Sequence, residues 1–471
     1  MESQQRVCAL GIHGETGDYL APPMDAAAFA EGIIHSERNP QIEEFQKLKR
    51  FRRKKHLGFL PGNNPWDLGE TGWGIVFCHD VDPEIKKALA PLMTWRREQA
   101  GDLYREFELL ESPSQAGCYE NKKEFLSRHK AYRHGLIDPR IMPYYLLVVA
   151  ATGRIPFRFV FDLDVQYALG LLNLDTREAY ASYAETVVSE EKKRRHRNGK
   201  LAFFAPAHQD DITETTARLL AAPLASAVAA ENSDRQIQRF LEQEADRQNL
   251  AKLLGLGQRP DLLFTVSHGL FFPHGHAAQR RHQGALLCAD WPGSKVPPAA
   301  EHTLSGIDIP DEADVRGMIS VHFACFSAGT PFRESFARYY KREAMVLADP
   351  PFVADLPKRL LGHPNGTALA VVGHVEGVWC HSFQIPGQPP SVDLYKNLIS
   401  LLLKGYPIGS ACELLGQRYA DLATELNGLI DDVHWGMKLD PQELVEMWLH
   451  HHDARNFIVL GDPAVTLADI V

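Results

Sequence analysis

The sequence predicts an α/β fold built on a mostly parallel sheet that carries helices on both faces. Short, continuous apolar runs recur beyond residue 140, and segments of helical character separate them. Strands that are buried on both faces of a parallel sheet lack the alternation of apolar and polar residues seen in half-exposed strands. The missing alternation and the regular return of helical segments are therefore the two observations that favour this fold class.

The expected elements follow one another along most of the chain. The strand candidates are YYLLVVA (144–150), LAFFA (201–205), LLFTV (262–266), MISVHFA (318–324), ALAVVG (368–373) and FIVL (457–460). Asp175 and Glu178 form a capping-box pattern that predicts the start of a helix. Further helices are expected over 213–230, 232–254, 394–403 and 409–430.

The length of 471 residues is compatible with more than one domain. Helix-like stretches near 41–56 and 83–110 make the N-terminal part an α-rich extension of unassigned function. Its basic run KLKRFRRKKH (47–56) is interpreted as a solvated helix face, with binding to an acidic partner as the alternative. The predicted division is an N-terminal extension, a first subdomain and a catalytic subdomain, over residues 1–140, 141–257 and 258–471.

Composition argues against several classes of function. A net charge of -10 and a pI near 6.1 do not suit a general nucleic-acid binder. The seven cysteines are odd in number and form no CxxC pair, which argues against a disulfide framework or a cysteine-rich zinc site. No leader peptide is visible, and the longest apolar, alanine-rich stretch, 219–230, is too short to span a bilayer. We expect a cytoplasmic protein without metal or cofactor that binds neither nucleic acid nor membranes.

Two strand ends carry the residues with the clearest chemistry. LLFTV leads directly into Ser267-His268-Gly269, and MISVHFA leads directly into Cys325. Functional groups of open α/β sheets collect at the carboxyl ends of strands, so His268 and Cys325 can meet in space. A cysteine is a strong nucleophile once deprotonated, and a histidine can take its proton and return it to a leaving amine. The pair predicts a cysteine peptidase that acts through a thioester.

Backbone groups beside this pair suit a developing oxyanion. Gly269 lets the chain come close to a substrate, and the N–H groups of Gly269 and Cys325 could donate to the oxyanion. Ala324 precedes Cys325, and His268 lies 57 residues upstream, close to the caspase spacing of about 50. Taken separately, the cysteine could be a small core residue and the His-Gly pair a simple turn.

The chain resembles the gingipain-type and CHAT-type bacterial peptidases of the caspase-like clan. Besides the His-Gly and Ala-Cys pairs, the resemblance rests on YYLLVVAATGRIP (144–156), DVQYALGLLNLDTREAYASYAETVVSEE (164–191) and FIVLGDPAVTL (457–467). It extends over about residues 140–467. Two positions depart from the family pattern, since Leu171 stands where an arginine is usual and Phe326 follows the cysteine.

The resemblance implies a caspase-like three-layer α/β sandwich with endopeptidase activity on protein substrates and no cofactor. It makes His268 the general acid–base, Cys325 the nucleophile, and Gly269 with Cys325 the oxyanion donors. A further hypothesis is a role in bacterial antiviral defence or signalling, with control by proteolysis or by an activating protein partner. The alternative is a catalytically inactive caspase-like scaffold that binds partner proteins.

Substrate preference is expected to depend on loops that follow neighbouring strands, as in related enzymes. Asp162 and Asp164 lie in the loop FDLDVQY, while Glu376 and Trp379 lie in GHVEGVWCHSF (373–383). We predict that these four residues bind substrate, and that a carboxylate selects arginine or lysine at P1. The alternative is that Asp164 caps a turn and Trp379 belongs to the core.

Other histidines and one charged loop have competing interpretations. The loop EEKKRRHRNGK (190–200) could be cut by a basic-P1 enzyme between Lys192 and Arg197, or it could be an ordinary solvated loop. The residues of the run 450–453 are expected at a solvated helix end. His374 and His13 are weaker candidates for the base. The HxH-containing group is interpreted as loop histidines rather than a zinc site, because no acidic or cysteine ligand lies at metal spacing: His274, His276 and His282.

Overall fold

The structure is a computed structural model, and it describes most of the chain from residue 63 onward. The described residues are 6–7, 11–20, 24–25, 63–115, 117–132, 136–150, 155–193, 199–257, 259–336, 343–379, 383, 390–438 and 440–467. The basic run at 47–56 lies outside them, and so does most of the proposed cleavage segment between Lys192 and Arg197.

Strands of the described residues form one large sheet and three small ones. They are β1 Arg6–Val7, β2 Gly11–His13, β3 Met24–Asp25, β4 Trp73–Cys78, β5 Tyr104–Leu109, β6 Tyr145–Val149, β7 Ala168–Leu172, β8 Leu201–Ala205, β9 Ile237–Leu241, β10 Leu262–Val266, β11 Gly269–Phe271, β12 Leu286–Leu287, β13 Thr303–Leu304, β14 Ile319–Phe323, β15 Gly329–Thr330, β16 Phe352–Val353, β17 Ala370–His374 and β18 Phe457–Gly461. The large sheet has ten strands in the order β5-β4-β6-β7-β18-β17-β14-β10-β8-β9.

This large sheet consists of two parallel halves joined by one antiparallel pair. Neighbours run parallel from β5 to β18 and again from β17 to β9, whereas β17 and β18 run antiparallel. The prediction of a mostly parallel sheet is confirmed. Because the halves oppose each other, the carboxyl ends of β17, β14, β10 and β8 share an edge with the amino ends of β7 and β18.

Helices accompany the sheet on both faces, as predicted for this class. They are α1 Leu68–Thr71, α2 Pro83–Ala88, α3 Ala90–Ala100, α4 Lys122–Arg128, α5 Phe157–Asp164, α6 Arg177–Lys192, α7 Ile212–Thr216, α8 Ala222–Glu231, α9 Arg247–Ala251, α10 Gln279–His282, α11 Asp355–Leu361, α12 Asp393–Leu403, α13 Ile408–His434 and α14 Pro441–Arg455. Strands come from all three predicted segments, since β4 and β5 of the N-terminal extension continue the sheet beyond β6.

Three local expectations are corrected by the structure. Thr176, not Asp175, caps α6, because the Thr176 hydroxyl accepts the Ala179 N–H. The expected helix over 232–254 contains strand β9, since pairing with β8 at the sheet edge outweighs its polar, helix-like pattern. The helix-like stretch near 83–110 ends as strand β5, which pairs with β4.

A buried ionic cluster connects α3, α6 and the residue after β18. Arg96 donates to the carboxylates of Asp462 and Glu191, at 2.7 Å each, and its side chain is only 1% exposed. Trp73 of β4 also donates to Asp462, at 2.9 Å. Because buried charges are tolerated only when they are paired and hydrogen-bonded, this cluster fixes the relative positions of three elements far apart in the chain.

Candidate active site

Four neighbouring strands of the large sheet end at one edge and supply the side chains of the candidate site. β10 and β14 pair in parallel, with Val266 opposite Phe323. His268 follows Val266 by two residues, and Cys325 follows Phe323 by two residues, so each lies just beyond its strand. The Ser267 N–H donates to the Phe323 carbonyl at 3.2 Å, which continues the pairing past the strand ends. The structure thus brings the two predicted catalytic residues to adjacent strand ends.

Gly269 is the residue that allows the two chain segments to come together. A Cβ atom at this position would lie 1.8 Å from the carbonyl oxygen of Cys325 and 3.0 Å from its backbone nitrogen. No side chain fits there without moving the backbone. The close approach of Gly269 to Cys325 agrees with a shared oxyanion site, and the donor roles of their N–H groups stay a prediction.

The thiol of Cys325 lies in a closed environment. Its side chain has 0% exposure, and its Sγ accepts the backbone N–H of Val378, beyond β17, at 3.1 Å. Burial raises the pKa of this thiol well above its ordinary value, and the bond from Val378 counteracts only part of that rise. A thiol with a raised pKa needs a base beside it before it can act as a nucleophile.

The turn that carries Cys325 is held in an uncommon backbone conformation. Phe326 has φ of 56° and Glu376 has φ of 78°, both in the left-handed region that non-glycine residues seldom adopt. The Phe326 N–H donates to the Glu376 carbonyl at 2.8 Å. Ser327 fixes the same turn, since its hydroxyl donates to the Ala324 carbonyl at 2.8 Å and accepts the His374 N–H at 3.0 Å. Such strain persists only where surrounding contacts enforce it, as they do here.

Asp211, which the sequence analysis did not single out, contacts His268 directly. It lies beyond β8. Its Oδ1 accepts hydrogen bonds from His268 Nε2 and from the Thr213 N–H, each at 2.8 Å. Its Oδ2 accepts the Tyr19 hydroxyl at 2.8 Å. Burial opposes ionisation, but His268 and the bonds from Thr213 outweigh it and hold the pKa of Asp211 below its usual range. A carboxylate here orients the ring and leaves Nδ1 as its basic nitrogen.

Aromatic rings surround the imidazole of His268. Tyr19 and Trp291 present their edges at centroid distances of 6.0 Å each, and His208 lies nearly parallel at 6.4 Å. His208 is fixed in turn, because its two ring nitrogens bond to the Thr213 hydroxyl and to the Cys288 carbonyl. Packing and hydrogen bonds together therefore hold His268 in one orientation.

The predicted substrate-binding residues lie at the same edge of the sheet but are engaged with neighbours. The Asp164 carboxylate accepts the Leu169 N–H at 3.2 Å, as in the turn-capping alternative, and burial raises its pKa to about 7. Asp162 lies on α5 near Arg158, at 3.6 Å.

Glu376 is 2% exposed. It accepts the N–H and hydroxyl of Ser335 at 2.5 and 2.8 Å. Trp379 is fully buried against Phe336 and Trp448. Their contact with substrate stays a prediction.

The other histidines do not extend the site. His374 bonds to the carbonyls of Glu376 and Asp453, and burial lowers its pKa to about 3. His276 pairs with Glu15 at 2.9 Å. The expectation of a solvated helix end at 450–453 is wrong. His450 and His451 contact α13, and His452 and Asp453 contact His374 of β17, which leaves each at most 9% exposed.

A cluster of metal ligands and a membrane-spanning helix are both absent from the residues that the structure describes. No group of three or more histidine, cysteine or carboxylate side chains there is arranged to hold a metal ion. Within the same residues, none of the helices combines the length and apolarity needed to cross a bilayer.

Two solved structures are distantly similar to the chain. No protein-family model matches the chain, and no curated protein matches it. A solved structure described as a protease is 13% identical with a TM-score of 0.48, over 85% of this chain and 79% of that one. The complex of the Porphyromonas gingivalis RgpB pro- and mature domains is 11% identical with a TM-score of 0.46, over 85% and 80%. Neither likeness, at this identity and TM-score, bears on the chemistry of the site.

Proposed function

We propose that the protein is a cysteine endopeptidase in which Cys325 is the nucleophile, His268 the general acid–base and Asp211 the group that orients His268. The observation that supports the proposal is that Asp211, His268 and Cys325 follow the consecutive strands β8, β10 and β14, and that Asp211 accepts a hydrogen bond from His268. The Val378 N–H adds a donor to the thiol sulfur at 3.1 Å. Such a donor lowers the free energy of a thiolate.

The proposed reaction proceeds through an acyl-enzyme. His268 takes the thiol proton of Cys325, and the thiolate attacks the carbonyl carbon of the scissile peptide bond. The N–H groups of Gly269 and Cys325 are the proposed donors to the oxyanion. The imidazolium returns its proton to the leaving amine, and a thioester remains on Cys325. His268 then deprotonates a water molecule, which hydrolyses the thioester and regenerates the thiol.

Substrate preference, control and location are the finer parts of this proposal. A basic P1 side chain would be selected by a carboxylate at the shared sheet edge, and Glu376 stands two residues before Val378. Binding would then require Glu376 to exchange its bonds with Ser335 for bonds to the substrate. Asp162, Asp164 and Trp379 are proposed to shape the same pocket. Activation by a protein partner or by cleavage, in a cytoplasmic defence or signalling pathway, completes the proposal.

A non-catalytic scaffold is the second candidate, and one specific observation favours it. The thiol of Cys325 is fully buried and its pKa is raised, which is also the state of an inert core cysteine. The buried carboxylate of Asp211 bonded to His268 favours the enzyme, because an enzyme needs a group that orients its catalytic histidine and a scaffold does not. A scaffold would hydrolyse no peptide under any condition.

Turnover of a peptide panel with basic and non-basic P1 residues tests the proposal. Cys325→Ala and His268→Ala should lower kcat/KM by a factor on the order of 10⁴–10⁶. The matched control is Cys412→Ala, which removes another buried cysteine, on α13, and should leave kcat/KM unchanged. Turnover that survives in both site variants would rule out the dyad. A preference for Arg or Lys that disappears in Glu376→Gln, at unchanged kcat for small substrates, would support the P1 assignment.

A further inference from the structure

A short hairpin near the N-terminus of the described chain extends the small sheet next to the site. This sheet has the strand order β13-β12-β11-β2, and its strand β11 starts at Gly269, directly after His268. Its outer strand β2 pairs in parallel with β11, with Gly11 opposite Gly269. The chain then turns back, and Ile12 forms a bridge with Tyr19. We call residues 11–20 the hairpin segment.

The hairpin segment lies directly against the candidate catalytic groups. A Cβ atom at Gly11 would be 3.3 Å from the Sγ of Cys325. At the other end of the hairpin, the Tyr19 hydroxyl donates to Asp211 at 2.8 Å, and the Tyr19 ring meets His268 at 6.0 Å. His268 and Cys325 both have 0% exposure. The two ends of the hairpin therefore contact both sides of the pair that would have to meet a peptide bond.

The segment is held by burial and by specific contacts. Ile12 is fully buried in a small apolar cluster that includes Leu270, Leu287 and Trp291. The Gly14 N–H donates to the Phe271 carbonyl at 2.7 Å. Glu15 pairs with His276 at 2.9 Å, but this pair adds little stability to the hairpin because Glu15 is exposed. Burial of Ile12 anchors the segment, since folding removes its large aliphatic side chain from water.

We propose that residues 11–20 are a blocking segment that occupies the peptide-binding edge of β11, so that the protein is latent until the segment is displaced. This inference rests on the proposed peptidase function and adds its regulation. An extended peptide binds a sheet edge through the same backbone N–H and C=O groups that β2 uses, so β2 and a peptide cannot occupy β11 together. Displacing the hairpin would free the edge of β11 and open the approach to Cys325 in one step.

Thiol alkylation tests the block without requiring peptide hydrolysis. The full-length chain is treated with iodoacetamide, and labelling of Cys325 is followed by mass spectrometry. Ile12→Asp places a carboxylate in the apolar cluster, which should release the hairpin and raise the labelling rate of Cys325 about tenfold or more. The matched control, Asp18→Asn, changes an exposed residue of the same hairpin and should label at the wild-type rate. Wild-type labelling as fast as that of an unfolded thiol would overturn the block.

A second variant and a second measurement guard against simple misfolding. Gly11→Val adds a side chain whose Cβ would lie 2.8 Å from Leu20 Cβ within the hairpin and 3.3 Å from Cys325 Sγ, which should distort the hairpin and loosen its contact with the thiol. Hydrogen exchange should then increase at residues 269–271 while β10 stays protected. Labelling at the wild-type rate in both folded variants would contradict the proposal. Faster labelling with no hydrolysis of any peptide would uphold the block and refute the peptidase, so the two failures can be told apart.

Discussion

Replacing Asp211 with asparagine removes one negative charge from beside His268 and keeps the side-chain shape. The amide oxygen can still accept the bonds from Thr213 and His268, so the geometry of the ring should persist. With the charge centres about 4 Å apart and an effective dielectric constant near 20, the carboxylate stabilises an imidazolium by about 4 kcal/mol. Since each 1.36 kcal/mol is a factor of about ten, we expect kcat/KM to fall about 10³-fold. Asp210→Asn is the control, because Asp210 is adjacent and exposed.

Peptide turnover and unfolding measured on the same samples separate a catalytic effect from a structural one. The pKa of Asp211 is lower in the folded state, so its ionised form stabilises the protein above pH ~4, and that stabilisation disappears as pH falls further. Asp211→Asn should therefore be less stable than wild type at pH 7, and the gap should narrow below pH ~4. A kcat/KM within about threefold of wild type, or an equal loss in Asp210→Asn, would refute the orienting role.

Three further predictions concern other positions. Gly269→Ala should lower kcat/KM at least about 100-fold and lower the free energy of unfolding by about 1–3 kcal/mol, because its Cβ would overlap the Cys325 carbonyl. Gly428→Ala, in open space on α13, should instead raise the free energy of unfolding by up to about 1 kcal/mol. Urea unfolding measures the stability of both variants. Arg96→Met should lower the free energy of unfolding by about 3–5 kcal/mol, because the carboxylates of Asp462 and Glu191 would lose their cation. A loss of stability below about 1 kcal/mol would contradict this expectation. Asp164 has its pKa raised to about 7 by burial, so wild-type stability should decline between pH ~4 and 7 as the unfolded carboxyl ionises first; Asp164→Asn should lack that decline in a pH series of urea unfolding.

The candidate residues whose position could be predicted from sequence are those next to strands that the sequence defines clearly. His268 and Cys325 follow continuous apolar runs within two residues, so a parallel sheet alone places them at one edge. Asp211 was missed because the strand order is absent from the sequence: nothing in LAFFAPAHQDD says that β8 lies beside β10. The run LAFFA was recognised as a strand, and the acidic pair after it was the available signal. Tyr19 lies 192 residues from its partner Asp211, a separation no local pattern reveals.

Tertiary contacts also overrode residue type in α14. Histidines are polar, and a run of three was interpreted as exposed, yet the structure buries them through specific bonds. His452 shares a 2.7 Å bond with the Ser335 hydroxyl, and His450 bonds to Arg418 at 2.9 Å. Buried polar groups of this kind depend on partners from distant segments, which a single sequence does not identify.

The central position of β18 has a consequence for how the chain matures. β18 follows every other described strand in the chain, yet it lies in the middle of the sheet and joins its two halves. During synthesis, β17 and β7 cannot be joined in one sheet until β18 has been made, because β18 pairs with both of them. Chains fold progressively from the N-terminus as they emerge, so the edge that carries Cys325 and His268 becomes complete only after residue 461 is available. On the proposed function, a chain that has not yet added β18 to the sheet should therefore hydrolyse no peptide.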